Sequence, residues 1–173
     1  GRLAIEKNYP MLLRVASRFR PEEQVRFFIV GPGELEASLK RRAHAMGLDD
    51  RVQFLGLRRD IPALLRAADL FAFTSRSEGA PNALLEAMAA GLPIVTTRFA
   101  GFGDIVAGGQ NAAVIDHDDD VGFETAIRML LADGEVARKL ADQARRTVEE
   151  RFSVPAMVEA TLRFYRRILD AAD

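Results

Sequence analysis

Five short, nearly unbroken apolar runs punctuate the chain as far as Ile115, and they limit its possible folds more than any other feature. They are Val25 to Val30 (VRFFIV), Val52 to Leu55 (VQFL), Leu70 to Thr74 (LFAFT), Ile94 to Thr97 (IVTT) and Ala112 to Ile115 (AAVI). A strand with one face in water alternates apolar and polar residues. A strand covered on both faces does not, and that is the condition inside a parallel sheet. Helical patterns lie between the runs, over residues 8–19, 34–46, 61–68 and 81–90, and a shorter one begins near Asp104. Strands alternating with helices imply right-handed βαβ units. The expected fold is α/β, a doubly wound, Rossmann-like parallel sheet.

After Asp116 the strands stop, and extra C-terminal helices are expected over 121–131, 135–152 and 155–169. Asp119 and Asp120 stand where they would cap the first, and Pro155 suits the start of the last. Arg145, Arg146, Arg163, Arg166 and Arg167 crowd the polar faces. They read as a solvated face with stems along the core, with a membrane-surface or partner-docking role as the alternative. No repeat or low-complexity linker is visible, so residues 1–173 read as one domain.

Composition narrows the class. A net charge of −1 gives no electrostatic case for nucleic acid or anionic lipid. The absence of cysteine removes disulfides and thiol chemistry and fits a reducing compartment. No apolar run approaches the ~20 residues that span a bilayer, and no signal peptide precedes the first helix. The expectation is a cytoplasmic protein. The chain opens at Gly1-Arg2-Leu3 with no initiator methionine, which reads as a cut from something longer.

Ligands of open parallel sheets bind beyond the carboxyl ends of the strands. The most informative loop there is Ser75-Arg-Ser-Glu-Gly-Ala-Pro-Asn-Ala-Leu-Leu-Glu86. Pro81 is expected as the first helical residue, where its missing N–H costs nothing. Gly79 and Ala80 bring no capping side chain, although Asn82 could serve. The amides of Asn82, Ala83 and their neighbours would then face an anion, helped by the helix dipole. Glu86 lies among Leu84, Leu85, Ala87 and Met88, and a carboxylate against that surface needs hydrogen-bond donors, which a ribose supplies. Glu78, before the helix, could reach another group of the same ligand. An anion between two carboxylates has the shape of a sugar nucleotide. The competing reading makes Glu78 a favourable charge near a helix N-terminus and pairs Glu86 with an arginine.

Three weaker features accompany it. Gly31-Pro-Gly-Glu34 resembles part of a phosphate-binding loop, but Pro32 lacks a donor and the third glycine is missing, so tight-turn geometry competes. Arg2 and Lys7 flank the opening loop and could neutralise a diphosphate, or be ordinary surface charges. Asp116-His-Asp-Asp-Asp120 contains an Asp-x-Asp, for which capping and solvation are a better explanation than a metal. His44 and His117 show no acid–base or metal pattern, and His44 is expected to be exposed.

With Glu78 and Glu86 eight residues apart in SEGAPNALLEAMAAGLPIV, the sequence resembles the family 4 (group 1) glycosyltransferases of the GT-B fold. GRLAIEKN resembles the family's opening loop, FFIVGPGE its strand and glycine turn, and DDRVQFLGLRRDIPALLRAADLFAFTSRSEG the stretch between. Asp104 in AGFGDIV stands where the family usually has Glu, and QNAAVID replaces a more usual Asn-Gly pair.

The resemblance implies the C-terminal, donor-binding half of a two-domain enzyme, with Gly1 near the start of that half and the N-terminal acceptor domain absent. It implies Glu86 on the ribose, Glu78 on the donor sugar, and amides around Gly79, Ala80, Asn82 and Ala83 on sugar and phosphates. Arg2 and Lys7 would act on the diphosphate, and the segment after Leu55-Gly56 would lie near the base. It implies retaining hexosyl transfer from a nucleotide diphosphate sugar, UDP by default, with no metal or other cofactor. Partners would be the donor and the missing domain, with no nucleic acid; peripheral membrane association of the full-length enzyme stays open. The rivals are a nucleotide-sugar hydrolase or epimerase and a non-catalytic binding module. A dinucleotide-binding domain would want a full GxGxxG and an acidic residue ending the next strand, and neither is present.

Overall fold

The structure, a computed structural model, describes residues 1–99 and 105–170. The chain opens with an extended segment and a single 3₁₀ turn, Ile5–Lys7, then enters α1, Tyr9–Ala16. Asn8 makes the join in the left-handed region (φ 49°), a conformation that asparagine tolerates better than other residues with a side chain. Pro10 sits in the first helical turn, where its missing N–H has no partner to lose. Strand β1, Phe27–Val30, is followed by α2, Glu36–Ala45, and β2, Val52–Gly56. Next come α3, Ile61–Ala67, β3, Phe71–Phe73, and α4, Asn82–Ala89. Strands β4, Ile94–Thr97, and β5, Ala113–Ile115, precede α5, Asp120–Ala132, α6, Gly134–Arg151, and α7, Val154–Asp170.

Every strand pairing among the described residues is parallel. Phe27 faces Val52 across β1 and β2, Phe71 faces Ile94 across β3 and β4, and Val95 faces Ala113 across β4 and β5. The parallel α/β reading therefore holds, and each expected strand is present within two residues of its expected bounds. One difference matters. The described residues form two ladders, β1–β2 and β3–β4–β5, rather than one continuous sheet.

The ladders share a core. All four residues of β4 are buried; Val95 packs with Leu3, Met11, Leu13, Ile29 and Phe123, while Ile94 packs on the other face with Phe73, Leu84, Met88 and Phe99. Successive side chains of a strand point to opposite faces, so an unbroken apolar run is what a strand covered on both sides needs. Each fully buried Leu, Ile or Met contributes about 1.5–3 kcal/mol.

The helix ends need small corrections. The first helix stops at Ala16 rather than Phe19, with the Ser17 hydroxyl donating to the Arg14 carbonyl (2.7 Å). Pro81 is the residue before α4, not its first residue, and the Asn82 side chain makes no capping bond. Asp119 alone caps α5, accepting from Gly122 N–H (2.8 Å), while Asp120 binds Arg14 (2.6 Å). The arginine stems of α7 do not lie along the core, because α7 buries no residue. The helix expected near Asp104, and Asp104 itself, lie outside the described residues.

Candidate functional site

The opening segment and the β3–α4 unit meet at the carboxyl ends of β1 and β3. Lys7 places its ammonium against both carboxylate oxygens of Glu78, at 2.7 and 2.8 Å. Glu78 keeps only 6 % of its side chain exposed and Lys7 20 %, so this is a sheltered pair between groups 71 residues apart. The same ammonium lies 5.9 Å from the centre of the Phe73 ring. Two hydrogen bonds hold the segments in register: Thr74 Oγ1 donates to the Lys7 carbonyl (2.8 Å) and Arg76 N–H to the Glu6 carbonyl (2.8 Å). Thr97 Oγ1 donates to the Ser75 carbonyl (2.7 Å), fixing the loop to the end of β4.

Glu86 sits one residue past the first turn of α4. It is exposed, and no arginine pairs with it among the described residues. Burial, then the Lys7 ammonium, pushes the Gly1 amine below its ordinary range, and the Glu86 and Glu78 carboxylates oppose that shift. Arg2 points outward and binds Glu6 (3.1 Å) with 73 % of its side chain exposed, so it is brought to the site less firmly than Lys7.

The anion cradle is smaller than the sequence implied. The Asn82 N–H donates to the Ala80 carbonyl (2.9 Å) in a tight turn made possible by Pro81, which removes Asn82 as a free donor. The Leu84 and Leu85 amides both reach the Pro81 carbonyl (2.9 and 3.1 Å). Gly79, Ala80 and Ala83 remain with no backbone partner for their N–H groups among the described residues. A methyl group at Gly79 would meet nothing within 4 Å, so this stretch of backbone borders open space.

The glycine turn after β1 serves the backbone. A Cβ on Gly33 would lie 2.4 Å from Leu3 N, and one on Gly31 would lie 1.9 Å from the Gly1 carbonyl. Gly31 also has φ 129°, which side chains rarely adopt. The two glycines let the opening segment cross against the turn, where Leu3 N–H donates to the Pro32 carbonyl (2.9 Å). A hollow of about 150 Å³ opens beside it, between Arg2 to Glu6 and Glu34. The larger cleft, about 450 Å³, lies at the opposite end of β1 around Arg26 and Arg51.

The acidic run after β5 is occupied by arginines. Asp116 faces Arg98 (3.4 Å), and Asp118 binds Arg76 through both oxygens (2.9 and 3.0 Å). No group of three or more His, Cys, Asp or Glu side chains placed for a metal occurs among the described residues. His44 is exposed as expected, with Nδ1 2.7 Å from Asp49.

Sequence reasoning missed Tyr9, Thr74 and Thr97. Tyr9 is pushed up to about 12, first by burial and then by Glu78, and its hydroxyl faces the Gly1 carbonyl (3.4 Å). The threonines gave a signal: each is a polar residue ending an apolar run, and each is buried.

A parallel α/β domain with a sheltered carboxylate–ammonium pair at its strand ends belongs to the class of open-sheet α/β proteins, in which ligands bind beyond the carboxyl ends of the strands. The profile of the family described as "Glycosyl transferases group 1" matches residues 1–147, and the chain belongs to that family. It is 32 % identical over 162 residues to the lipopolysaccharide core biosynthesis glycosyltransferase LpsE of Rhizobium meliloti, covering 94 % of this chain and 47 % of that protein. It is 32 % identical over 164 residues to an Escherichia coli UDP-Gal:alpha-D-GlcNAc-diphosphoundecaprenol alpha-1,3-galactosyltransferase, covering 92 % of this chain and 42 % of that one. Among solved structures it resembles Anabaena HepE in complex with UDP-glucose, with a TM-score of 0.88 and 28 % identity, covering 96 % of this chain and 47 % of HepE. It shares the fold of the C-terminal domain of the Francisella tularensis group 1 protein LpcC (TM-score 0.78, 20 % identity, covering 89 % and 84 %). The chain thus spans less than half the length of LpsE, the galactosyltransferase and HepE.

Proposed function

We propose that this chain is the donor-binding half of a retaining hexosyltransferase that uses a nucleotide diphosphate sugar, UDP-linked by default. The observation that carries the reading is the sheltered Lys7–Glu78 pair at the strand ends, followed by the helix that carries Glu86 and bordered by the Gly79, Ala80 and Ala83 amides, which have no backbone partner among the described residues. Glu86, exposed and with no arginine partner among the described residues, accepts from the ribose hydroxyls. Glu78 takes the donor sugar. Lys7, with Arg2 swinging in from the rim, meets the diphosphate, and the Gly79, Ala80 and Ala83 amides supply the remaining donors. Charge that develops on the leaving phosphate is stabilised by these preorganised donors without a metal. A UDP-sugar is favoured because UDP-Gal stands in the name of one relative and UDP-glucose is bound in HepE. The acceptor is read by chain outside these residues, so the isolated chain binds donor without transferring sugar. The setting we infer is cytoplasmic, with peripheral membrane contact a property of the longer enzyme.

A thermal-shift titration with uridine, guanosine, adenosine and cytidine diphosphates, with and without magnesium, tests this. Ligand at about a hundred times its Kd adds ~2.7 kcal/mol, or roughly 5 to 10 °C for a domain of this size. We expect a metal-independent shift with uridine diphosphate that Glu86→Ala abolishes. No shift with any nucleotide, in this chain and in the full-length protein alike, would sink the proposal. Product analysis of the full-length enzyme separates transfer from hydrolysis or epimerisation.

A further inference from the structure

Strands β1 and β2 start side by side, with Phe27 opposite Val52 in the parallel register. One position before that pair stand Arg26 and Arg51. The Phe27 N–H donates to the Arg51 carbonyl (2.8 Å), so the ladder is already closed at this level. Neighbouring strands lie about 4.8 Å apart, and the register therefore sets two arginine stems next to each other at the amino end of the sheet. Phe27 and Val52 go into the core, whereas Arg26 is exposed and Arg51 only part-buried. Like charges this close repel unless an anion joins them.

No carboxylate among the described residues does so. Arg14, Arg18, Arg76 and Arg128 each bind an aspartate or glutamate, but neither Arg26 nor Arg51 forms an ion pair among the described residues, not even with Asp50 beside them. The Arg51 Nη1 atom is enclosed and has no hydrogen-bond partner among the described residues. A buried donor without an acceptor is costly, and more so when it carries charge. Both arginines line the cleft of about 450 Å³, together with Gln24, Val25 and Asp50. That volume falls within the range of small-molecule sites, roughly 300–1,000 Å³. Gly47 borders the same cleft, and a methyl group there would meet nothing within 4 Å, so this wall faces open space.

We infer that this cleft is a second ligand site, which takes a phosphomonoester held between the Arg26 and Arg51 guanidinium groups. Guanidinium forks meet phosphate oxygens through parallel N–H bonds, and a phosphate has oxygens enough for two of them, which a carboxylate does not. The Gln24 amide and the Asp50 carboxylate are placed along the same wall for hydroxyl groups on the ester. The site is distinct from the Lys7–Glu78 pair, which lies at the carboxyl end of β1. The four residues Phe27–Val30 separate the two ends by about 13 Å at ~3.3 Å per residue. The inference is independent of the donor reading.

Titration calorimetry on the full-length protein with inorganic phosphate and with glycerol 3-phosphate tests it. Saturable binding is expected, weakened about tenfold or more by Arg51→Gln and by Arg26→Gln. The second variant changes an exposed residue and so leaves folding intact. Lys7→Met should leave this binding unchanged, which separates it from phosphate taken up at the other end of β1. Vesicles containing phosphatidic acid, whose headgroup is the lipid counterpart of glycerol 3-phosphate, distinguish the source of the ester. Binding of the soluble compounds alone assigns a free metabolite, and vesicle capture that Arg26→Gln abolishes assigns a lipid headgroup. The proposal is overturned if neither soluble phosphate nor vesicle binds. It is overturned equally by binding that persists in both arginine variants, or that Lys7→Met abolishes.

Discussion

With both oxygens of Glu78 within 2.8 Å, the Lys7 ammonium is already neutralised before any ligand arrives. On the donor reading proposed above, a diphosphate would have to compete for it, and its arrival would release Glu78 toward whatever lies next to the phosphate. Charge-assisted bonds of this kind are worth about 1.5–3 kcal/mol. Glu78→Gln keeps the shape and removes the competitor. The expected result is uridine diphosphate binding that is unchanged or up to about tenfold tighter, a gain of ~1.4 kcal/mol, with sugar transfer by the full-length enzyme lost. Lys7→Met should weaken the same nucleotide by about tenfold or more. Calorimetry on both variants decides the matter. Weaker nucleotide binding in Glu78→Gln would show that the carboxylate supports the diphosphate site instead of opposing it.

At the scale of elements, α5 is held to the opening third of the chain by ion pairs as well as by Phe123 and Ile127. Arg128 binds Glu23 and Glu124, and Arg18 binds Glu124 from the other side. The Glu23 carboxyl is lowered from 4.5 to about 2, chiefly by the Arg128 guanidinium and then by the Arg20 backbone N–H. A carboxyl depressed in the folded state stabilises it above its unfolded pKa, and that stabilisation is lost as pH falls toward the folded value. The window therefore runs from about 4.5 down to about 2. The Tm difference between the natural chain and Glu23→Gln should be largest near neutral pH, shrink through this window and vanish near pH 2. A difference that stays constant across that range would mean the pair contributes nothing through titration.

What was legible in the sequence also sorts by element. The unbroken apolar runs marked the strands because residues such as Ile94 and Val95 serve two faces of one sheet. The meeting of Glu78 with Lys7 was not legible, because it joins groups far apart in the chain through the Thr74 hydroxyl and the Arg76 amide. Nor was the loss of the Asn82 amide to the Ala80 carbonyl, since a turn of that kind depends on the backbone angles at Pro81. Gly31 and Gly33 looked like half of a phosphate loop, and their purpose shows only once Leu3 is seen lying against them.

Over the whole molecule, packing is uneven. The core lies under β4 and between α1, α4, α5 and α6, whereas α7 leaves Met157, Leu162, Tyr165, Ile168 and Leu169 at least half exposed. Its polar residues do not compensate, for Arg163 pairs with Glu159 on the helix itself. Helices in proteins owe most of their stability to tertiary packing, and α7 packs chiefly against α6. Stability follows buried area, and a segment that buries no residue contributes little of it. Deleting residues 154–170 from this chain should therefore shift Tm by no more than about 4 °C, equivalent to ~1 kcal/mol in a domain of this size. The same deletion should raise solubility, because exposed apolar surface of that extent promotes association. Differential scanning fluorimetry and light scattering on the two forms make the comparison. A fall well beyond 4 °C would mean that α7 closes over the α4–α6 core in solution, and the face it leaves open here would then have a partner within the same chain.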